Sequence, residues 1–498
     1  MSTQASMPSA RERGNQLYVA GNYTAAAVAY SEGLESEQYK QHGKADELAA
    51  LLCNRSACYL ELRNLAAAEA DSRACLQLQP CNIKAHYRLA RALPHEHPDA
   101  IAAIATAIAL CDPGSRSDAM LQSYTNIRDA AAAAAAAATA ADSATADGRG
   151  SALRPPLLLQ LPPDPGRIAA ASSWTEVKAA LRRGASFIVL RPGTYITETI
   201  APTAMPGIAA YTLLAVGTVV LKSAPGGSHA FWVNAEPLGS MLILRSPSPT
   251  VTLVGMRLIG SGSAAAACVS GEGARLNLLD CHVADYEDAG LLVAGKCTAQ
   301  LARCTFTRTA SQAIEVREGG ELTADRVTII SCSQGVTAYG GARSVVLRDC
   351  TILNSKKENM MVCGTYENAA TRALGEDVYN RGTDPIACSV AEAAVQSGYR
   401  LGTPLDVLLL DCTISHAGCF GVSADRGANV VARGCYLEHN DPFAFFIKGG
   451  TDAIILACCI VYSGSRSNCT WGNVNVNVNV NVNVNVSGGG GGSKGGSK

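Results

Sequence analysis

The segments LLDCHV (278–283), LARCTF (301–306), ADRVTI (324–329), LRDCTI (347–352), LLDCTI (409–414), ARGCYL (432–437) and LACCIV (456–461) place Cys281, Cys304, Val327, Cys350, Cys412, Cys435 and Cys458 in one register. The steps are 23, 23, 23, 62, 23 and 23 residues, and 62 is one step of 23 plus 39 inserted residues, near 365–405. Short strand-like runs at a period in the twenties predict a β-solenoid, in which like residues stack from coil to coil. A second strand follows at a fixed offset: GLLV, AIEV, GVTA, NMMV, GVSA and AFFI begin at Gly290, Ala313, Gly335, Asn359, Gly421 and Ala444. Alternation along the first strand sends the cysteines inward together with Val283, Phe306, Ile329, Ile352, Ile414 and Leu437. Thiols are small and among the most buried side chains, so the ladder reads as core; redox or metal chemistry is the competing reading.

This strand spacing runs from 168 to 471. It opens with WTEVKAALRRGASFIVLRPGTYI (174–196), a helix followed by a strand and a Pro-Gly turn. The whole segment resembles the right-handed parallel β-helix of the pectin-lyase-like superfamily. That resemblance implies an all-β fold and leaves the activity open, because the motif is a stacking rule.

Enzymes of this fold cluster Asp, Arg, Lys or His on an outward face. Here the position before each ladder cysteine reads Asp280, Arg303, Arg326, Asp349, Asp411, Gly434 and Ala457. Asp349 and Asp411 fall one strand spacing apart, ~4.8 Å, which makes them, with Arg326, the candidate catalytic residues. The alternating signs equally describe a surface salt-bridge ladder. The outward row of the other strand, Leu292, Glu315, Thr337, Met361, Ser423 and Phe446, carries a single acid, and the next row adds Arg317, Tyr339, Asp425 and Lys448. The Gly-His-Gly, Asn-Thr-Asp and Arg-Ile-Lys signatures of the polygalacturonase type are missing, so catalysis has no motif behind it. The inserted residues near 365–405 read either as a binding loop on a rigid scaffold or as an excursion tolerated at small entropic cost.

Working toward the start of the chain, nine consecutive alanines (130–138) lead into a stretch with five prolines between 142 and 166. Residues 139–167 therefore read as a linker. Before it, apolar residues recur at helical spacing. RERGNQLYVAGNYTAAAVAYSEGL (11–34), LLCNRSACYLELRNLAAAEADSRACLQLQP (51–80) and IKAHYRLARALPHEHPDAIAAIATAIALCDP (83–113) form three helix-pair copies, and 117–138 supplies a capping helix. The irregular turn in the third copy leaves its second helix open. Residues 9–138 thus resemble a tetratricopeptide-repeat domain, an all-α solenoid.

The first helix of each copy lines a groove, and on those helices stand Arg11 and Asn15, Asn54, and Lys84 and Arg88. The constellation resembles the carboxylate clamp of tetratricopeptide co-chaperones, with Arg11 in place of the usual lysine. The resemblance implies that Asn15 and Asn54 hold a terminal carboxylate, that Lys84 and Arg88 hold the preceding acidic groups, and that the partners are C-terminal EEVD tails of cytosolic heat-shock chaperones. Arg13, Arg55 and Arg91 read as surface charge.

The 498 residues carry 41 Lys+Arg against 42 Asp+Glu. That balance predicts no general grip on nucleic acid or anionic lipid. The longest apolar stretch, 207–221, is too short to span a bilayer, and no signal-like segment opens the sequence, which predicts a cytoplasmic protein. The 19 cysteines include no CxxC pair, so neither a metal motif nor a cofactor is predicted. Residues 472–498, with seven Asn-Val pairs and a Gly/Ser/Lys end, read as a low-complexity tail. The expectation is a multidomain chain, an all-α tetratricopeptide solenoid plus an all-β right-handed parallel β-helix. It would act as a non-catalytic adaptor whose β-helix binds a client protein or a glycan; the alternative is an intracellular carbohydrate-active enzyme.

Overall fold

The computed structural model describes residues 8–36, 45–144, 159–197, 210–223, 242–244, 250–260, 267–270, 273–339, 341–363, 405–425, 428–440, 443–447, 452–456, 458–461, 469–471 and 476–479. It divides into two compact units: Met1–Gly226 with Pro247–Ile259 and Arg275–His282, and Gly227–Ser246 with Gly260–Ala274 and Val283–Lys498.

The first unit opens with helices α1 (Ala10–Val19), α2 (Tyr23–Glu35), α3 (Ala45–Glu61), α4 (Leu65–Leu78), α5 (Ile83–Ala92), α6 (Pro98–Leu110) and α7 (Asp118–Ala144). Local chemistry sets their starts. Ser9 and Glu12 form a reciprocal capping box on α1, and the side chains of Asn22, Asn64 and Asn82 accept from the first turns of α2, α4 and α5. Two of these caps follow a left-handed residue, Gly21 (φ 77) and Arg63 (φ 59), so the same turn closes the first helix of two pairs. In the third pair the second helix does form: Pro98 sits in its first turn and His97 accepts from the Asp99 amide. A proline is tolerated there because the N–H it lacks has no partner within the helix. Ala49, Cys53, Cys75 and Ala85 make one core cluster, and Ala26, Ala27, Tyr30, Leu51 and Cys58 another. The alanine run carries α7 to Ala144, six residues past 138, because alanine has the highest helix propensity.

Of the stretch 139–167, residues 145–158 lie outside the described residues, while Leu159 and Leu161 are buried. Tyr124 Oη donates to the Pro162 carbonyl and Arg128 Nη1 to that of Pro163 (3.0 Å). Helix α6 packs on the first parallel strands, Ile168–Ala171 and Phe187–Leu190. Within this unit, then, the helical repeats and the opening of the solenoid share contacts. Helix α8 (Trp174–Arg182) precedes the strands Phe187–Leu190 and Gly193–Thr197.

Among the described residues the solenoid has about eight turns. One coil of the second unit shows the plan: strands Glu321–Asp325, Thr328–Ile330 and Gln334–Ala338, each paired in parallel with its counterparts on the coils before and after. The register crosses the long step intact, with Ser344 opposite Asp406 and Thr351 opposite Thr413. The insertion itself, near 365–405, lies outside the described residues apart from the buried Leu405.

The corners are left-handed. Asp280, Arg303, Arg326, Asp349 and Asp411 have φ between 49° and 54°, and Gly434 continues their row at 68°. A second row five residues on, Asp285, Arg308, Ser331, Asn354, His416 and His439, has φ between 50° and 64°. The ladder thiols from Cys281 to Cys435 follow these corners, and the ladder thiols bond to carbonyls. Cys350 Sγ reaches Arg348 O (3.1 Å) and Ala324 O (3.6 Å), Cys412 Sγ reaches Leu410 O (3.3 Å) and Leu347 O (3.5 Å), Cys435 repeats the pattern, and Cys458 Sγ reaches Ala432 O (3.5 Å) on the coil before. Burial and these bonds give the cysteines a structural role. The row read as outward on the other strand is not solvated: Leu292, Glu315, Thr337 and Met361 are all buried, so both faces of that sheet are covered at these coils.

Among the described residues no helix is long and apolar enough to cross a membrane.

Candidate functional site

Helices α1, α3 and α5 stand side by side, α1 against α3 and α3 against α5. Gly14 makes room for the Tyr30 ring, since a Cβ at that position would overlap it. The Tyr30 hydroxyl in turn donates to Asn15 Oδ1 (2.7 Å), and Asn54 Nδ2 donates to the same oxygen (3.0 Å). With Oδ1 holding two donors, the Asn15 carboxamide keeps its nitrogen as the group available to donate.

Arg88 Nη1 lies on the carbonyl of Cys53 (2.5 Å), one residue before Asn54, and 2.7 Å from the Cys53 sulfur. The bond with Cys75 lowers the pKa of the Cys53 thiol despite burial, and the charges of Arg88 and Lys84 lower it further. Burial raises the Tyr30 hydroxyl to about 12, against the opposing fields of Arg88 and Arg11. Arg88 thus acts on both groups, on Cys53 together with Lys84 and on Tyr30 together with Arg11. Arg11, Asn15 and Lys84 are exposed, while Asn54 and Arg88 are half-buried.

Arg55, read as surface charge, is a correction. Its Nε and Nη2 hold both oxygens of buried Asp71 at 2.8 Å, and Nη1 reaches Ser31 Oγ at 2.8 Å. A half-buried guanidinium facing a buried carboxylate is held best by such a bidentate pair. Arg13 and Arg91 do sit at the surface, paired with Glu32 and Glu61.

His86 is buried on α5, the helix that also bears Lys84 and Arg88, and its Nε2 lies 2.7 Å from the Pro80 carbonyl. Burial lowers its pKa from 6.5 to about 4, against the opposing pull of the Pro80 carbonyl. The unfolded chain therefore takes up the proton first: His86 costs no stability above pH 6.5, and the loss grows as pH falls toward 4. The loss approaches about 3 kcal/mol. His86→Gln keeps an N–H for Pro80 and removes the titration. Its denaturant midpoint is expected to fall less than wild type's between these pH values; parallel curves would refute the assignment.

In the solenoid, Arg326 is exposed and pairs with its neighbour Asp325 (2.9 Å), and Asp349 and Asp411 are exposed. Their shared property is the left-handed corner, where a Cβ on Gly434 would overlap the Asp411 carboxylate. A different grouping surrounds a buried acid, Glu315. The Tyr339 hydroxyl donates to Glu315 Oε1 (2.6 Å), Arg317 Nη1 lies 3.5 Å from that oxygen, and burial raises the pKa values of both Glu315 and Asp288. Sequence spacing showed Glu315 as a lone acid because its partners lie 24 residues away on the next coil and 27 residues back.

Fold and groove together define the class: a tetratricopeptide-repeat domain followed by a right-handed β-helix. A family model described as a right handed beta helix region matches residues 265–494. Over about 80 residues of the N-terminal region the chain is similar to three curated proteins. It is 35% identical over 82 residues to the Hsp70/Hsp90 co-chaperone CNS1 of Saccharomyces cerevisiae, covering 16% of this chain and 20% of that one. It is 35% identical over 79 residues to the TPR repeat-containing thioredoxin TTL4 of Arabidopsis thaliana (16% and 10%). To sperm-associated antigen 1 of Rattus norvegicus it is 38% identical over 82 residues (16% and 9%). The chain thus spans a fifth or less of the length of these relatives. Among solved structures, the A-module of the mannuronan C-5 epimerase AlgE4 of Azotobacter vinelandii superposes with a TM-score of 0.33 at 9% identity, over 61% of this chain and 96% of the module.

Proposed function

We propose that the helical repeats hold the acidic C-terminal tail of a cytosolic heat-shock chaperone, of the EEVD type, and that the β-helix binds a client protein or glycan. The protein would then be a cytoplasmic adaptor. The observation that carries this reading is the Asn15–Asn54 bond beside Arg88, which joins residues from the first helices of all three pairs on one groove. A chain end offers a terminal carboxylate and an adjacent acidic side chain. The amides suit the first and the cations of Lys84, Arg88 and Arg11 the second. Similarity to an Hsp70/Hsp90 co-chaperone over this region supports the same partner class. In a pull-down with the full chain from a cytosolic extract, the Hsp70 or Hsp90 class is expected in the bound fraction, displaced by free EEVD peptide. Retention of neither chaperone would overturn the reading.

One observation favours a second reading, a carbohydrate-active β-helix. A buried carboxyl whose pKa burial raises, beside a tyrosine and an arginine, is the equipment of acid–base catalysis. Of the two carboxylate groupings, Glu315 with Asp288 fits this better than the exposed Asp349 and Asp411. Polysaccharide cleavage lost in Glu315→Gln would place the enzyme reading first.

A further inference from the structure

We propose that His416, Glu438 and His439 bind one divalent transition-metal ion of the cobalt and zinc class at a corner of the solenoid. One donor atom from each residue lies within 4.8 Å of the others. The two histidines hold equivalent corner positions on consecutive coils: His416 follows the strand Thr413–Ser415, His439 follows Tyr436–Glu438, and Ser415 is opposite Glu438 in the register. Their backbones share the left-handed conformation (φ 54 and 50), and their rings stack with centroids 4.9 Å apart and planes 18° from parallel. The fold thus delivers two imidazoles at coil spacing from fixed backbone, and only side-chain rotation is needed to converge on an ion.

The partners of these groups fit the same use. His416 Nδ1 lies 3.1 Å from Ser415 Oγ, which leaves Nε2 as the nitrogen to ligate. Tyr436 Oη donates to Glu438 Oε2 (2.8 Å), holding the carboxylate whose same oxygen lies 3.6 Å from His439 Nδ1. Such outer partners orient metal ligands and raise their basicity. Two imidazoles and one carboxylate suit ions such as Zn2+, Co2+ or Ni2+, and three protein ligands leave positions for water or an incoming ligand. His416 and His439 are exposed, so an ion can enter from solvent. The corner row also supplies an internal reference: at Asn354, two coils before His439, the fold takes an asparagine at the same position with φ 57.

The test is a calorimetric and optical titration of the full chain with CoCl2 under reducing conditions. One ion per chain is expected, with weak visible bands and no intense sulfur-to-cobalt charge-transfer band. His416→Asn and His439→Asn should each weaken binding at least about tenfold, and the double variant should abolish it. Asparagine is at ease in a left-handed corner, so unchanged thermal melting is expected for both variants. Glu438→Gln, which can keep its bond to Tyr436, gives a third, independent loss. Failure of the wild-type chain to bind Co2+, ligation through thiolate sulfur, or equal affinity in the double variant would each overturn the site.

Discussion

Titrated with a peptide ending in Glu-Glu-Val-Asp, the Lys84→Ala/Arg88→Ala variant is expected to give no binding heat at peptide concentrations that saturate the wild-type chain. The proposed contacts from these side chains are charge-assisted hydrogen bonds, worth roughly 1.5–3 kcal/mol each. Lys84 is exposed, and solvent and salt screen its contribution, so the lower end applies to it. Together they still amount to at least about 3 kcal/mol, a loss of more than about a hundredfold. Arg88 now rests on the Cys53 carbonyl, and a bound carboxylate would take over that guanidinium. A separate arm addresses the amides: amidating the peptide removes the terminal carboxylate assigned to Asn15 and Asn54, and affinity for the wild-type chain should fall by a similar factor. Raising salt should weaken the acidic peptide and hardly touch a neutral control. Undiminished affinity in the double variant, with its melting unchanged, would dismiss the clamp.

The fold was legible where one side chain serves one geometric purpose on coil after coil, with Val327 the one departure in the quoted row. Cys281 to Cys458 repeat because the interior at that position admits a small apolar group that can also donate to a carbonyl, and few residues meet both demands. The corners were not legible. Asp, Arg, Ser, Asn and His all occupy them, since what recurs is a backbone angle rather than a side chain. The row of Asp349, Asp411 and Arg326 therefore reads as chemistry in the sequence, whereas the structure shows it first as a turn. The step from His416 to His439 is 23 residues, the same as the cysteine step, and was the one available signal for the corner site.

Pairings across elements escaped for a related reason. Arg55 neighbours Asn54, and its partner Asp71 stands on another helix at a separation that no helical spacing predicts. Glu315 meets Tyr339 only once the coil length is known to the residue. For the proposed groove residues the sequence offers a spacing, Arg11 with Asn15 and Lys84 with Arg88 being four apart on single helices. Their convergence with Asn54 depends on repeat geometry.

The largest structural effect is expected at Gly335, where valine should abolish cooperative folding of the surrounding coils. In the row Gly290, Ala313, Gly335, Asn359, Gly421 and Ala444, no two glycines are adjacent. A Cβ at 335 would overlap the Asn359 carbonyl oxygen and stand 2.7 Å from Ile352 Cγ2. That carbonyl accepts from the Val336 amide (3.0 Å), so it cannot retreat without breaking a coil-to-coil bond. Behind it the fully buried Asn359 side chain donates to Ser415 O (2.8 Å) and Asn440 Oδ1 (3.2 Å), and Asn440 donates to Ile414 O (2.9 Å). Overpacking typically costs about 1–3 kcal/mol, and each buried polar group left unpaired adds roughly 1–3 kcal/mol. The sum approaches the whole stability of an ordinary domain, about 5–15 kcal/mol. Because each coil contacts only its neighbours, the damage should centre on the coils from Ala313 to Ala444 and leave the helical repeats folded. Limited proteolysis should then cut the solenoid first, and the denaturant transition should lose its steep phase. Gly114→Val is the matched control, since a Cβ there meets nothing within 4 Å. Equal midpoints for the two variants would show that the Asn359 carbonyl yields at no cost, and that the glycine spacing is not a packing requirement.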